Sequence, residues 1–254
     1  MHASGWDRVS VCVVTLNEEE NLARCLGSVA PCGEIVVVDS GSTDGTRAVA
    51  ERFGARWLSR PWSGFAAQRT HAADEASLPF VLFLDADEWL GPELRREVGL
   101  ALQAPDAATS IWIFRRQSEF LGRVIRHGDW SGDYVARLAP RGRAAWRGAE
   151  PHPRLEALDL MPRKFRNPLN HRPYRDLSIF SRKIESYAQT WANEAARAGA
   201  RGGRVEGILR AGWRFFRGFL LRGGFLDGRP GLIIARQNAR MVYLKHFFLS
   251  RVGR

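Results

Sequence analysis

Cysteine is scarce in this chain, with Cys12, Cys25 and Cys32 the only three in 254 residues. They form no CxxC pair and no ligand pattern with histidine, which excludes a disulfide scaffold or zinc module and points to reduced thiols in a cytosolic compartment. Long hydrophobic runs are missing as well. No 18 consecutive apolar residues occur, so no membrane-spanning helix is expected, and the opening MHASGWDR has neither the charged region nor the apolar run of a secretory signal. Two phosphate-binding signatures are also absent. The first apolar run leads into TLNEEEN, without GxGxxG and without a glycine-rich loop carrying lysine, so neither a dinucleotide fingerprint nor a P-loop is present. Acidic residues all but disappear after position 200. From Arg201 to Arg254 there are 12 Arg and Lys against Glu206 and Asp227, or +10, which leaves +1 of the total +11 for the first 200 residues.

What is present suffices for a large core, since 45% of the residues are hydrophobic. This fits one α/β domain with an appendage. The chain is organised around VLFLDADE, Val81 to Glu88. Its four apolar residues read as a strand buried on both faces, and it ends in Asp85, Asp87 and Glu88. Open α/β sheets place their ligands just beyond the carboxyl ends of their strands. Two Asp residues one position apart project towards one point, and hard divalent cations favour carboxylate oxygen. A structural role accounts for at most one of the three, as cap of a helix opening at Gly91 and Pro92.

Two more apolar runs end in the same way. Val9 to Val14 lead to Thr15, Asn17 and Glu18 and then to a helical pattern of Leu22, Leu26 and Val29. Ile35 to Val38 run into Asp39, the small-residue segment Ser40 to Thr46, and a helix from Arg47 to Phe53 stopped by Gly54. Ala55 to Leu58 reads as a third strand and Phe65 to Ala76 as a helix. This alternation predicts a mostly parallel sheet flanked by helices on both faces. Asn17, Glu18, Asp39, Asp85 and Asp87 then share one crevice, where like charges repel unless a cation joins them. Phosphate held through a metal, with Asp39 and Thr15 to Glu18 hydrogen-bonding ribose and base, makes this a nucleoside diphosphate site.

VCVVTLNEEENLARCLGSV, EIVVVDSGSTDGT and FVLFLDADEWLGPEL resemble the three nucleotide-binding segments of family 2 inverting glycosyltransferases, which have the GT-A fold. FRRQSEFLGRVIRHGDWSGDYVARL, HRPYRDLSIFSRKIESYA and FLDGRPGLIIA are similar more particularly to lipopolysaccharide core glycosyltransferases related to the heptose β-1,4-glucosyltransferase. The resemblance covers nearly the whole chain. It implies that Thr15, Asn17, Glu18 and Asp39 contact the nucleotide, with Ser42 in the same donor-binding set. It also implies that Asp85 and Asp87 form the DxD motif holding Mg²⁺ or Mn²⁺ and the donor diphosphate.

Ser110 to Arg115 and Tyr134 to Ala139 read as further strands, with Arg137 on one face. Between them GRVIRHGDWSGD has the composition of a functional loop. Trp130 either stacks on an acceptor sugar or packs in a core, and Arg126 and His127 are candidates for donor or acceptor phosphate. Inversion by direct displacement needs a general base, normally a carboxylate. The resembling proteins commonly show a His-Glu pair soon after a tryptophan, whereas this chain reads WRGAEPHPR, with His152 followed by Pro153. Glu150 is the first candidate base and Asp133 the second, with His152 on the acceptor side.

Asp176 to Ala198 reads as an amphipathic helix with a core-facing stripe of Leu177, Phe180, Ile184, Tyr187 and Trp191. GILRAGWRFFRGFLLRGGF and the pattern from Leu232 to Phe248 combine large apolar side chains with arginines, the composition of a helix at an anionic membrane surface. No nucleic-acid motif accompanies the charge, so no nucleic-acid partner is expected. The sequence therefore predicts a GT-A catalytic domain over 1–170 and a helical, basic region over 171–254. The expected activity is metal-dependent hexosyl transfer from a nucleotide-sugar to a lipopolysaccharide-core or other glycolipid, peripheral on the cytoplasmic face of the inner membrane. A competing class is a catalytically inactive GT-A-like module acting as a basic membrane or polyanion adaptor. The missing His-Glu pair favours it and the intact DADE opposes it.

Overall fold

The computed structural model describes residues 5–148, 150, 153–174 and 176–252. The elements run β1 (Val9–Thr15), α1 (Glu19–Ser28), β2 (Glu34–Asp39), α2 (Thr46–Arg52), β3 (Arg56–Ser59), α3 (Phe65–Glu75), β4 (Phe80–Asp85), β5 (Glu88–Leu90) and α4 (Pro92–Ala101). There follow β6 (Ser110–Phe120), β7 (Arg123–Val124), β8 (Asp133–Pro140), β9 (Ala145–Arg147), β10 (Arg154–Glu156), β11 (Met161–Lys164) and β12 (Leu169–His171). Three helices close the chain: α5 (Leu177–Arg197), α6 (Arg204–Phe216) and α7 (Gly228–Val252). Contacts divide it into two compact units, one of Met1–Arg116 with Gly132–His171, the other of Gln117–Ser131 with Arg172–Arg254.

The first unit is built on a sheet of order β3-β2-β1-β4-β8-β6-β12-β5. It is parallel from β3 to β4, while β8 runs antiparallel to both β4 and β6. Strands β1, β2 and β4 are mainly apolar because both faces are covered. Val9, Val11 and Val13 pack with Leu22, Leu26, Val49, Leu82 and Leu84 on one face. Cys12, Val36, Val38, Val81 and Phe83 pack with Ala72 of α3 and with Ala76 just after it on the other. Register then lines up the strand ends: Thr15 pairs with Asp39, and Val14 with Asp85. Because β8 is antiparallel to β4, it begins at that same carboxyl end, where Asp133 pairs with Arg116 of β6.

The capping role allowed for one carboxylate is not seen. Gly91 occupies the N-cap of α4 with Pro92 in its first turn, and no side chain caps it. The three-residue strand β5 separates the acidic segment from the helix and pairs with β12. Burial pushes the thiols of Cys12 and Cys25 up, and that of Cys32 to about 11.

In the second unit β7 pairs with the last residues of β6, and α7 packs against both α5 and α6. Phe120, Ile125, Phe180, Ile184 and Ile234 form its core. Asp176 caps α5, accepting from the Ile179 N–H (2.9 Å). Between α6 and α7 the chain makes a π turn (Arg217–Leu221) and a 3-10 turn (Gly224–Asp227). A β-carbon at Gly231 would lie 1.9 Å from the Gly224 carbonyl oxygen, so that approach requires glycine. Among the described residues no helix is long and apolar enough to cross a membrane.

Candidate active site

The candidate donor half is assembled from the loops after β1 and β2. Asp39 is buried; the Gly41 and Ser42 N–H groups donate to its Oδ2 (2.9 Å each) and the Ser42 hydroxyl to its Oδ1. Ser42 Oγ in turn accepts from the Asn17 N–H (2.8 Å), and Asn17 Oδ1 accepts from the Thr43 N–H (2.8 Å). Asn17 holds a left-handed φ of 55°, a conformation asparagine tolerates better than most residues. The Glu18 N–H donates to Thr46 Oγ1 (2.9 Å), and Glu18 Oε2 accepts from the Asn21 amide (2.8 Å). Thr15, Asn17, Glu18, Asp39 and Ser42 are thus brought together. The two loops are knitted into one rim.

The acidic end of β4 is a charge network. Asp85 receives the Arg69 guanidinium on Oδ1 and that of Arg137 on Oδ2 (2.7 Å). Arg137 also donates to the fully buried Glu88 (2.8 Å), whose other oxygen accepts the Asp85 N–H (3.0 Å). Arg116 joins Glu88 (3.3 Å) to Asp133, to which its Nε donates at 2.8 Å. Burial alone would push the Asp85 carboxyl up, but Arg137 and Arg69 outweigh it and hold the group well below the usual carboxylate range. Burial opposes the charge of Arg137 too; Asp85 and Glu88 raise its affinity for the proton.

Asp87 lies beside this network, its Oδ2 3.7 Å from His171 Nε2 at the end of β12. Among the described residues no group of three or more His, Cys, Asp and Glu side chains is placed to hold a metal by itself. The Asp87 carboxylate nonetheless suits Mn²⁺ or Mg²⁺ as part of a set completed by water and a diphosphate, the way Mg²⁺ sites are usually filled, and the imidazole is the softer ligand beside it. The donor chemistry fits such an ion at Asp87 and His171, whereas both oxygens of Asp85 engage arginine.

The two candidate bases differ in their surroundings. Asp133 belongs to the network through Arg116. Glu150 Oε1 accepts from the Ala66 N–H (3.1 Å) in the first turn of α3, so it serves as that helix's cap. His152 lies outside the described residues. The remaining candidates belong to the second unit. Trp130 sits among Phe120, Phe180 and Tyr174, with ring centroids 5.6 to 5.9 Å away. His127 is held by Asp227, which accepts from its backbone N–H (2.8 Å) and lies 3.0 Å from its Nδ1. Asp227 also accepts the Arg126 N–H (3.1 Å).

Arg69, Arg116 and His171 escaped the sequence reading, and Arg137 was placed there only on a strand face. One signal existed for Arg69, a lone cation among the small apolar residues Ala66, Ala72 and Ala73 of α3.

Comparison with known proteins agrees with this geometry. The profile described as Glycosyl transferase family 2 matches residues 10–155, more than half of the chain. The lipopolysaccharide core biosynthesis glycosyltransferase LpsC of Rhizobium meliloti (strain 1021) is 28% identical over 274 aligned residues, covering 96% of this chain and 94% of its own. An uncharacterized glycosyltransferase of Rickettsia conorii is 39% identical over 99 residues, covering 39% of this chain and 35% of its own. Among solved structures, S. aureus TarS 1-349 in complex with UDP is 25% identical, with a TM-score of 0.38 over 46% of this chain and 37% of that one. The mixed α/β sheet, parallel from β3 to β4 and followed by C-terminal helices, is the fold class expected from the sequence. The chain belongs to glycosyltransferase family 2.

Proposed function

We propose that the protein transfers a hexose, with inversion, from a nucleotide-sugar to a lipopolysaccharide-core or related glycolipid acceptor. One observation carries the reading: the carboxylates at the ends of β1, β2 and β4 and the start of β8 share one end of the sheet, where Arg137 and Arg116 link those after β4 to Asp133. The near full-length likeness to LpsC supports the acceptor class.

In this reading Thr15, Asn17, Glu18, Asp39 and Ser42 bind the base and ribose. Asp87 and His171 would hold Mg²⁺ or Mn²⁺, which when bound would neutralise the negative charge of the departing nucleoside diphosphate. Arg69 and Arg137 orient Asp85. The acceptor hydroxyl oxygen bonds to the anomeric carbon as the bond from that carbon to the diphosphate oxygen breaks, and the hydroxyl proton passes to a carboxylate. Asp133 is that base, favoured by its place at the start of β8, at the carboxyl end of β4. Glu150 is the second reading; its loop adjoins the same end of the sheet through the start of α3. Residues up to about 170, apart from Gln117–Ser131, form the catalytic domain. The basic helices after them hold the enzyme at the cytoplasmic face of the inner membrane.

Calorimetric titration with a panel of nucleotide-sugars, with and without Mn²⁺, tests the donor site. Metal-dependent binding lost in Asp87→Ala is expected, and equal binding by the variant would remove the metal assignment. Transfer assays on Asp133→Asn and Glu150→Gln separate the bases: the true base loses turnover while donor binding persists.

A further inference from the structure

On α6 the large apolar side chains point away from the helix that packs against it. Gly207 and Gly218, at the start of α6 and just beyond it, are buried, and a β-carbon at Gly207 would lie 2.8 Å from His246 of α7. Ile208, Leu209 and Trp213, at helical spacing on another face, are 59%, 69% and 58% exposed, and Val205 and Phe216 continue that stripe. An exposed apolar stripe of this length marks an interaction surface.

A cleft of about 360 Å³ opens beside the stripe. Trp191 of α5, Arg210, Trp213 and Arg214 of α6, Arg217 just after it and Lys245 of α7 line it, with Val242 and His246. Trp213 belongs both to the cleft and to the apolar stripe. The acids facing these cations are few. Asp129, 1% exposed, is shared by Arg214 (3.1 Å), Arg222 (3.4 Å) and Arg217 (3.9 Å), and Glu206 serves Arg210 (2.7 Å) and His246 (3.8 Å). Lys245 lies 5.2 Å from the Trp191 ring centroid, and burial and Arg214 together depress its affinity for the proton. Arg214 and Lys245 therefore press on each other. An anion entering the cleft relieves that repulsion.

We propose that this cleft receives the phosphate-bearing headgroup of an anionic lipid, taken from the surface in which the apolar stripe of α6 is immersed. The proposal rests on the membrane reading of the C-terminal helices and adds to it a defined headgroup site. A soluble phosphate would use the cations alone. The continuity of cleft and stripe through Trp213 is what selects a lipid, because arginine and lysine beside large apolar side chains place the headgroup and the acyl boundary at the depths where each is found.

The test is sedimentation of the full-length protein with vesicles of phosphatidylcholine alone and of phosphatidylcholine with phosphatidylglycerol. Arg210→Gln with Lys245→Gln removes two cleft cations. Arg229→Gln with Arg236→Gln removes the same charge from exposed positions outside the cleft. The cleft pair should lower partition onto phosphatidylglycerol vesicles by about tenfold or more, the control pair far less, with unchanged melting for both. Leu209→Glu should lower partition onto both vesicle types. Equal losses for the two pairs would overturn the headgroup site and leave a diffuse membrane attraction standing. No partition by the wild-type protein, with glycerol 1-phosphate binding that the cleft pair abolishes, would overturn the membrane reading and the lipid assignment together.

Discussion

Arg137 is the cation on which the acidic end of β4 depends. Its side chain is 5% exposed and reaches both Asp85 and the fully buried Glu88. Removing one partner of a buried ion pair leaves a charge with no compensation, so Arg137→Met should cost about 3–5 kcal/mol in urea denaturation. Arg137→Lys should recover only part of that, since an ammonium cannot fork between two carboxylates. Asp85 also sets a pH dependence. Its proton affinity is depressed in the fold, so its contribution is complete above the unfolded value of about 4 and is lost as pH falls below it. Between pH 6 and pH 3 the wild-type protein should lose more stability than Asp85→Asn; parallel losses would place the acid sensitivity elsewhere. The carboxylates here were legible in the sequence because they directly follow an apolar strand. The arginines were not, since Arg69, Arg116 and Arg137 come from three other elements and meet only once β8 pairs antiparallel with β4 and β6.

At the scale of the element, α3 shows how a candidate catalytic residue also acquires a structural task. Gly64 at its N-cap has a φ of 105°, and a β-carbon there would lie 2.9 Å from Glu150 Oε1, which caps Ala66. Glu150→Ala should therefore cost about 1 kcal/mol in thermal or urea denaturation through the lost cap. Gly64→Ala should cost more, because strain adds to the clash. Glu150→Gln keeps an acceptor oxygen and should stay near wild-type stability; a variant as unstable as Glu150→Ala would mean that the negative charge matters more than the hydrogen bond. Strands β1, β2 and β4 were legible from their apolar runs. β5 and β12 have three residues each, too few to show any period, and they carry Glu88 and His171 into the site. Whether the apolar residues of α6 are covered was not legible either, because it depends on where α7 packs.

Over the whole molecule the uneven charge is the feature composition reported most directly, +10 of +11 lying after position 200. Less legible was the grouping of 117–131 with the C-terminal helices, because it rests on side chains such as Asp129 and Phe120 finding partners about 60 to 110 residues away. The charge and the α6 stripe respond differently to salt, which separates their contributions to surface binding. Raising ionic strength from 0.1 M to 1 M shortens the screening length from about 10 Å to about 3 Å, and the attraction of each cation to an anionic leaflet fades with it. Apolar burial is not screened, and sulfate strengthens it. Partition onto phosphatidylglycerol-containing vesicles should therefore fall with sodium chloride until it meets the level on neutral vesicles. Sodium sulfate should raise that residual level. A partition that ignores sodium chloride would show that the stripe alone binds and that the arginines of α6 serve the folded unit rather than the surface.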